Sequence, residues 1–173
     1  MLSAVLLIAL SAPAHIDSRP DLGIAEGRCR PGAPGSDIFV DVEGLKDRKG
    51  RLRLELYPPD DADFLSDDNL LIEEGKTFRR VDVPVPQSGP VRLCIRAPGP
   101  GVYTMSLLHD RDSNHKFGLS TDGIGFPGNP RLGWSKPKAA QARIVVNGSR
   151  TETRIILNYR HGLFSFSPLR NKP

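Results

Sequence analysis

The stretch His109-Asp110-Arg111-Asp112-Ser113-Asn114-His115-Lys116 sets oxygen-bearing side chains on alternate residues. Asp110, Asp112 and Asn114 have the i, i+2, i+4 spacing with which a calcium loop begins. A curled backbone turns such carboxylates and amides onto one hard cation, and the seventh residue, Lys116, offers its carbonyl. The rest of that pattern is missing: His115 stands where the sharp turn asks for glycine, Thr121 stands where a closing Glu belongs, and no helical periodicity flanks the loop. Asp122, one residue further, completes a non-helical version of the site, with calcium as the cofactor. The same side chains can instead cap their own turn through Asx-type hydrogen bonds. His109 and His115 admit a transition metal as a variant, but carboxylate partners without a thiolate favour the hard ion.

Just beyond, Gly123-Ile124-Gly125-Phe126-Pro127-Gly128 matches the letters of the dinucleotide fingerprint. It fails the context, because no βαβ unit surrounds it and Pro127 falls where a helix must begin. A loop carrying Phe126 and Asn129, with Trp134 close behind and His109 before it, instead suggests the lining of a ligand groove. The alternative is a loop folded on its own Phe126 and Trp134. For hydrolytic catalysis the chain offers no nucleophile elbow and no identifiable pair of carboxylates.

The elements that must position these residues read as strands. Ile38, Val40 and Val42 alternate with acidic residues, although Phe39 falls on the polar side, and Arg51 to Tyr57 alternates without a fault, directing Leu52, Leu54 and Leu56 to a core. Val81–Val85, Val91–Ile95 and Tyr103–His109 repeat the pattern, and Pro84 demotes the first of these to a sheet edge. Arg143 to Val146 and Arg154 to Tyr159 flank Asn147-Gly148, a hairpin turn signal that also opens a formal glycosylation sequon. Residues 60–75 form an acidic connection whose Phe64, Leu65, Leu70, Leu71 and Ile72 fit either a helical turn or a short strand. Seven or so short strands punctuated by turn residues, with no repeats, indicate an all-β antiparallel sandwich.

A chain of 173 residues suits one domain. With 17 Gly and 16 Pro, turns interrupt it too often for long helices. The net charge of +4 is spread along the whole length beside 20 acidic residues, so no nucleic-acid partner is expected. Residues 1–14 join an apolar run to Ser11-Ala12-Pro13-Ala14, which reads as a signal peptide cleaved after Ala14, too short for an integral membrane anchor. Residues 15–36 read as an extended lead-in, 37–160 as the sandwich and 161–173 as a flexible tail. Cys29 and Cys94 are the only cysteines, and in an exported chain they form a disulfide. Cys94 shares a strand face with Arg92 and Arg96, so the bridge clamps the lead-in across an outer face.

At Gly101-Val102-Tyr103-Thr104-Met105-Ser106-Leu107-Leu108-His109-Asp110 the sequence resembles the bacterial family called domain of unknown function 2141. The family's tyrosine-bearing strand matches at Tyr103, its His-Asp-rich loop at His109, Asp110, Asn114 and Lys116, and its Gly-Phe-Asn loop at Gly125, Phe126 and Asn129. Val42-Glu43-Gly44-Leu45, Gly50-Arg51-Leu52 and Leu56-Tyr57 agree with it upstream. The likeness runs from about Ile38 to Tyr159. Two departures touch the loop: the family's acidic residue shortly after Lys116 is absent, and its glycine after Asn114 is His115. The resemblance implies an exported immunoglobulin-like or transthyretin-like sandwich and no particular activity.

The expectation is therefore a periplasmic or secreted binding or structural module of the cell envelope, calcium-stabilised at residues 110–122, with an envelope protein or glycan as partner. The contrasting expectation is an enzyme acting on envelope carbohydrate or peptide, which needs titratable groups converging in a pocket.

Overall fold

The computed structural model describes residues 15–133, 135–162 and 165–169. Their strands form two sheets. The smaller contains β1 (Ser36–Glu43), β4 (Val91–Ala97) and β8 (Arg150–Ile156), in the order β4-β1-β8. The larger contains β2 (Arg51–Tyr57), β3 (Arg79–Pro84), β5 (Gly101–Asp110), β6 (Gly123–Gly125), β9 (Asn158–His161) and β10 (Ser165–Pro168), in the order β10-β9-β6-β5-β2-β3; β7 (Arg143–Val146) pairs with the first half of β5. All pairings are antiparallel except β1 with β8.

The alternation of β1 and β2 decides the packing. Ile38, Val40 and Val42 on one sheet meet Leu52, Leu54, Leu56, Met105 and Leu107 on the other in one buried cluster, so the sheets stack face to face as a sandwich. Phe39, the residue out of pattern, lies on the outer face between the guanidinium groups of Arg92 and Arg150, 5.4 Å and 4.4 Å from its ring centre. A second apolar cluster gathers Tyr57, Phe64, Leu71, Phe78 and Phe126 outside the sandwich proper. In the acidic connection the helical alternative holds, with α2 at Asp68–Glu73 carrying Leu71 into that cluster.

The ends of the chain depart from the sequence reading. The lead-in is not extended throughout: it contains α1 (Ile24–Gly27), after which Arg28 bridges to Ile95 and Cys29 is bonded to Cys94. The Asn147-Gly148 turn does not close a hairpin, because β7 pairs in the larger sheet and β8 in the smaller, and neither turn residue takes a positive φ. Arg154 to Tyr159 is not one strand either. Fully buried Leu157, whose amide donates to the Glu43 carbonyl, is the point where the chain crosses from the smaller sheet to the larger. The expected tail contributes β10, paired residue for residue with β9.

Candidate functional site

β5 is the longest strand, and its last residues enter the loop. Asp110 is buried because β5 runs between β2 and β6, and the Gly50 turn presses against its carbonyl. Asp122 is buried just before β6, which pairs its Gly123 with His109. The pairing of β5 with β6 therefore brings the two ends of the loop together. An oxygen from each of Asp110, Asp112 and Asp122 lies within 4.8 Å of the others, two of the residues buried and Asp112 exposed.

Each of these carboxylates also accepts loop amides. Asp110 receives the His115 and Asn114 amides at 2.9 Å and 3.2 Å, Asp112 receives the Asn114 amide at 3.2 Å, and Asp122 receives those of Arg111 and Gly118 at 2.9 Å and 2.7 Å. Asn114 is fully engaged inside the loop, its Nδ2 donating to Asp112 and its Oδ1 accepting from the Lys116 amide. Of the five expected ligands, three carboxylates converge, while the Asn114 side chain serves the turn itself. Burial, above all, raises the Asp110 pKa from its ordinary value, and the carboxylates of Asp112 and Asp122 push the same way against the lowering pull of the His115 and Asn114 amides. A carboxylate oxygen has two lone pairs, so an amide cap and a metal bond can share it. Chemically, the cluster is suited to a hard divalent cation that would complete its shell with water or carbonyls.

His109 does not line a groove. It is fully buried, with Nδ1 2.6 Å from the Tyr159 hydroxyl and Nε2 2.8 Å from the Lys49 carbonyl. Because a carbonyl only accepts, the ring proton sits on Nε2, and Tyr159 donates to Nδ1 while its oxygen accepts the Lys46 amide. Burial lowers the His109 pKa and pushes the Tyr159 hydroxyl up to about 12. The network ties the 44–50 turn to β5 and β9, beside the ion pair in which Arg111 holds the Asp47 carboxyl below its usual range.

Asn129 also departs from the groove reading. Held at φ 48°, it accepts the Ile156 amide at 2.7 Å and acts as a cap on the end of β8. Phe126 is buried, yet it forms part of the floor of an apolar groove of about 200 Å³ whose walls include Leu65, Phe117, Leu132 and Phe166. Trp134 lies outside the described residues. Sequence reasoning missed Phe117 and Leu119, both exposed and both inside the 110–122 loop; two large apolar residues in an otherwise polar loop were the available signal.

Residues 40–154 match a protein family described as "Uncharacterized protein conserved in bacteria (DUF2141)". The chain belongs to this family. No curated protein and no solved structure matches it. In this DUF2141 chain the match begins within β1 and ends within β8, so it spans the acidic loop and most of the groove. Among the described residues, no helix is long and apolar enough to cross a membrane.

Proposed function

We propose that the protein is an exported binding module of the cell envelope whose recognition surface is the apolar groove, and that calcium held by Asp110, Asp112 and Asp122 rigidifies one wall of that groove. The observation that carries this reading is the convergence of the three carboxylates at the base of the loop that displays Phe117 and Leu119. Gly118 donates its amide to Asp122, so the group nearest the two apolar residues in sequence is anchored to a would-be ligand of the ion. Phe117 in turn rests against Phe166 of β10, ring centres 6.2 Å apart. A cation at the base would thus reach the groove through a single backbone contact. An aromatic-walled groove suits an apolar side chain or the face of a sugar ring, consistent with an envelope protein or glycan as partner. Export is supported by the signal-like N-terminus and by a disulfide, which persists in oxidising compartments.

The test is thermal unfolding with excess calcium and with a chelator. A ligand bound only to the folded state at about 100 times its Kd adds about 2.7 kcal/mol, a shift of several degrees in Tm. Asp112→Asn should abolish most of the shift while sparing the fold, since Asp112 is exposed and bonds only within the loop. Equal Tm values with millimolar calcium and with chelator would remove calcium from the reading and leave the loop as a self-capped turn.

A further inference from the structure

A second cavity of about 250 Å³ opens between the lead-in, α2, residues 114–116 of the acidic loop and the outer face of β2 and β3. Ser18, Arg19, Arg53, Arg80, His115 and Lys116 contribute to its walls, with Asp68 the single acidic residue among them. Arg53 and Arg80 are both more than nine-tenths buried. Such burial of guanidinium groups requires partners. Arg53 has Asp82 at 3.1 Å, and Arg80 has Glu55 at 2.7 Å and Asp68 at 3.1 Å. Asp82 serves Arg51 as well, so three arginines and three carboxylates cancel in the floor.

What remains beyond that balance is one-sided. The Asp68 oxygens already accept from Arg80 and from the Asn69 amide. The donors are in surplus. Nη2 of Arg80 and Nζ of Lys116 make no hydrogen bond among the described residues. His115 faces the same network, its Nδ1 2.6 Å from Arg53 Nη2 and 3.3 Å from Asp82 Oδ2, so that nitrogen is engaged with the floor. The Ser18 hydroxyl adds a donor to those of Arg80 and Lys116. A cavity whose one carboxylate is already satisfied, and whose unpaired side chains offer donors beside an ammonium, is complementary to an oxyanion.

We infer that this cavity binds the phosphate or carboxylate group of a ligand, with Lys116 supplying the net charge and Arg80 and Ser18 directed donors. The inference does not depend on calcium in the loop. Its test is isothermal titration of the full chain with inorganic phosphate and with acetate in chelator at constant ionic strength, beside phosphatidylglycerol and phosphatidylcholine vesicles. Lys116→Gln is the variant, because Lys116 is exposed and its side chain has no partner to lose. Binding of a free anion that weakens about tenfold in Lys116→Gln, the worth of one charge-assisted hydrogen bond, assigns the cavity to a soluble ligand. Lys116-dependent binding to phosphatidylglycerol vesicles alone assigns it to a lipid headgroup. Absence of binding in every arm, or binding that Lys116→Gln leaves unchanged, overturns the inference.

Discussion

His109 illustrates how a residue type alone misleads. In sequence it stands beside an acidic loop and invites a binding role; in the fold it is fully buried and uses both nitrogens on Tyr159 and Lys49. Its surroundings are mixed, with Asp47 and Asp122 raising its pKa and Arg111 lowering it, and burial prevails on the low side. A histidine whose folded pKa lies below its unfolded value, about 6.5, binds protons more readily when the chain is unfolded. Its contribution is absent above that pH, and stability is lost as pH falls from there toward the folded pKa. Urea denaturation at pH 7.5 and 5.5 should therefore show a less stable protein at the lower pH. His109→Gln, which keeps polar atoms near both partners, should lower stability at pH 7.5 and flatten the difference; an equal fall in the variant would place the titration elsewhere. Asp110 acts with the opposite sign, since a carboxyl with a raised folded pKa favours the folded state as it protonates.

At the scale of elements, β6 matters out of proportion to its three residues. It fills the gap between β5 and β9, and through Gly123 it sets Asp122 close to the end of β5. Its glycines are required by proximity and not by φ: a Cβ on Gly125 would meet the Ile155 side chain and the Ile156 carbonyl. Gly125→Ala should therefore destabilise the protein by about 1–3 kcal/mol through overpacking, read as a lower denaturation midpoint at unchanged m-value. Gly133→Ala, with open space around it, serves as the comparison and should be close to neutral. Loss of the β6 contacts should also weaken any calcium response, because one ligand of the proposed ion would drift from the other two. The same logic explains why β6 escaped the sequence reading: three residues with two glycines carry no periodicity, and the strand exists only because β5 and β9 present edges to it.

For the whole molecule, the lead-in and its disulfide close the side of the sandwich where the edge strands β3 and β4 approach. The Arg80 amide of β3 donates to the Gly23 carbonyl, Arg28 bridges to Ile95 of β4, and Cys29–Cys94 spans 65 residues. Exposed edges are templates for pairing with other chains, so this covering protects both sheets at once. Replacing both cysteines by serine should cost about 4 kcal/mol in the chain-entropy model and, by freeing the lead-in, raise aggregation on refolding. Denaturant titration and light scattering of the double variant check the two effects separately; a stable, monomeric variant would show that contacts of the lead-in suffice without the bridge.

Sandwich architecture was legible because its cause is local in sequence: alternation in β1, β2, β4 and β5 dictates one apolar face each, and two such faces can only be buried against one another. The disulfide pairing needed no geometry, since two cysteines allow one intramolecular bridge. Spacing likewise pointed to Asp110, Asp112 and Asn114, with Asp122 as a completing carboxylate, whereas in the fold Asn114 serves the turn and the three carboxylates converge. The remainder depended on where strands far apart in the chain come together. Which sheet receives β7 and β8, whether Asn147-Gly148 turns back or crosses over, and whether His109 faces a ligand or the core are all settled by long-range pairing. A turn dipeptide or a lone histidine has the same local preferences in either place. Burial of Arg53 and Arg80 is the clearest case: a strand pattern assigns such residues to water, and only the lead-in, α2 and the acidic loop, folding over that face, convert it into a charged cleft.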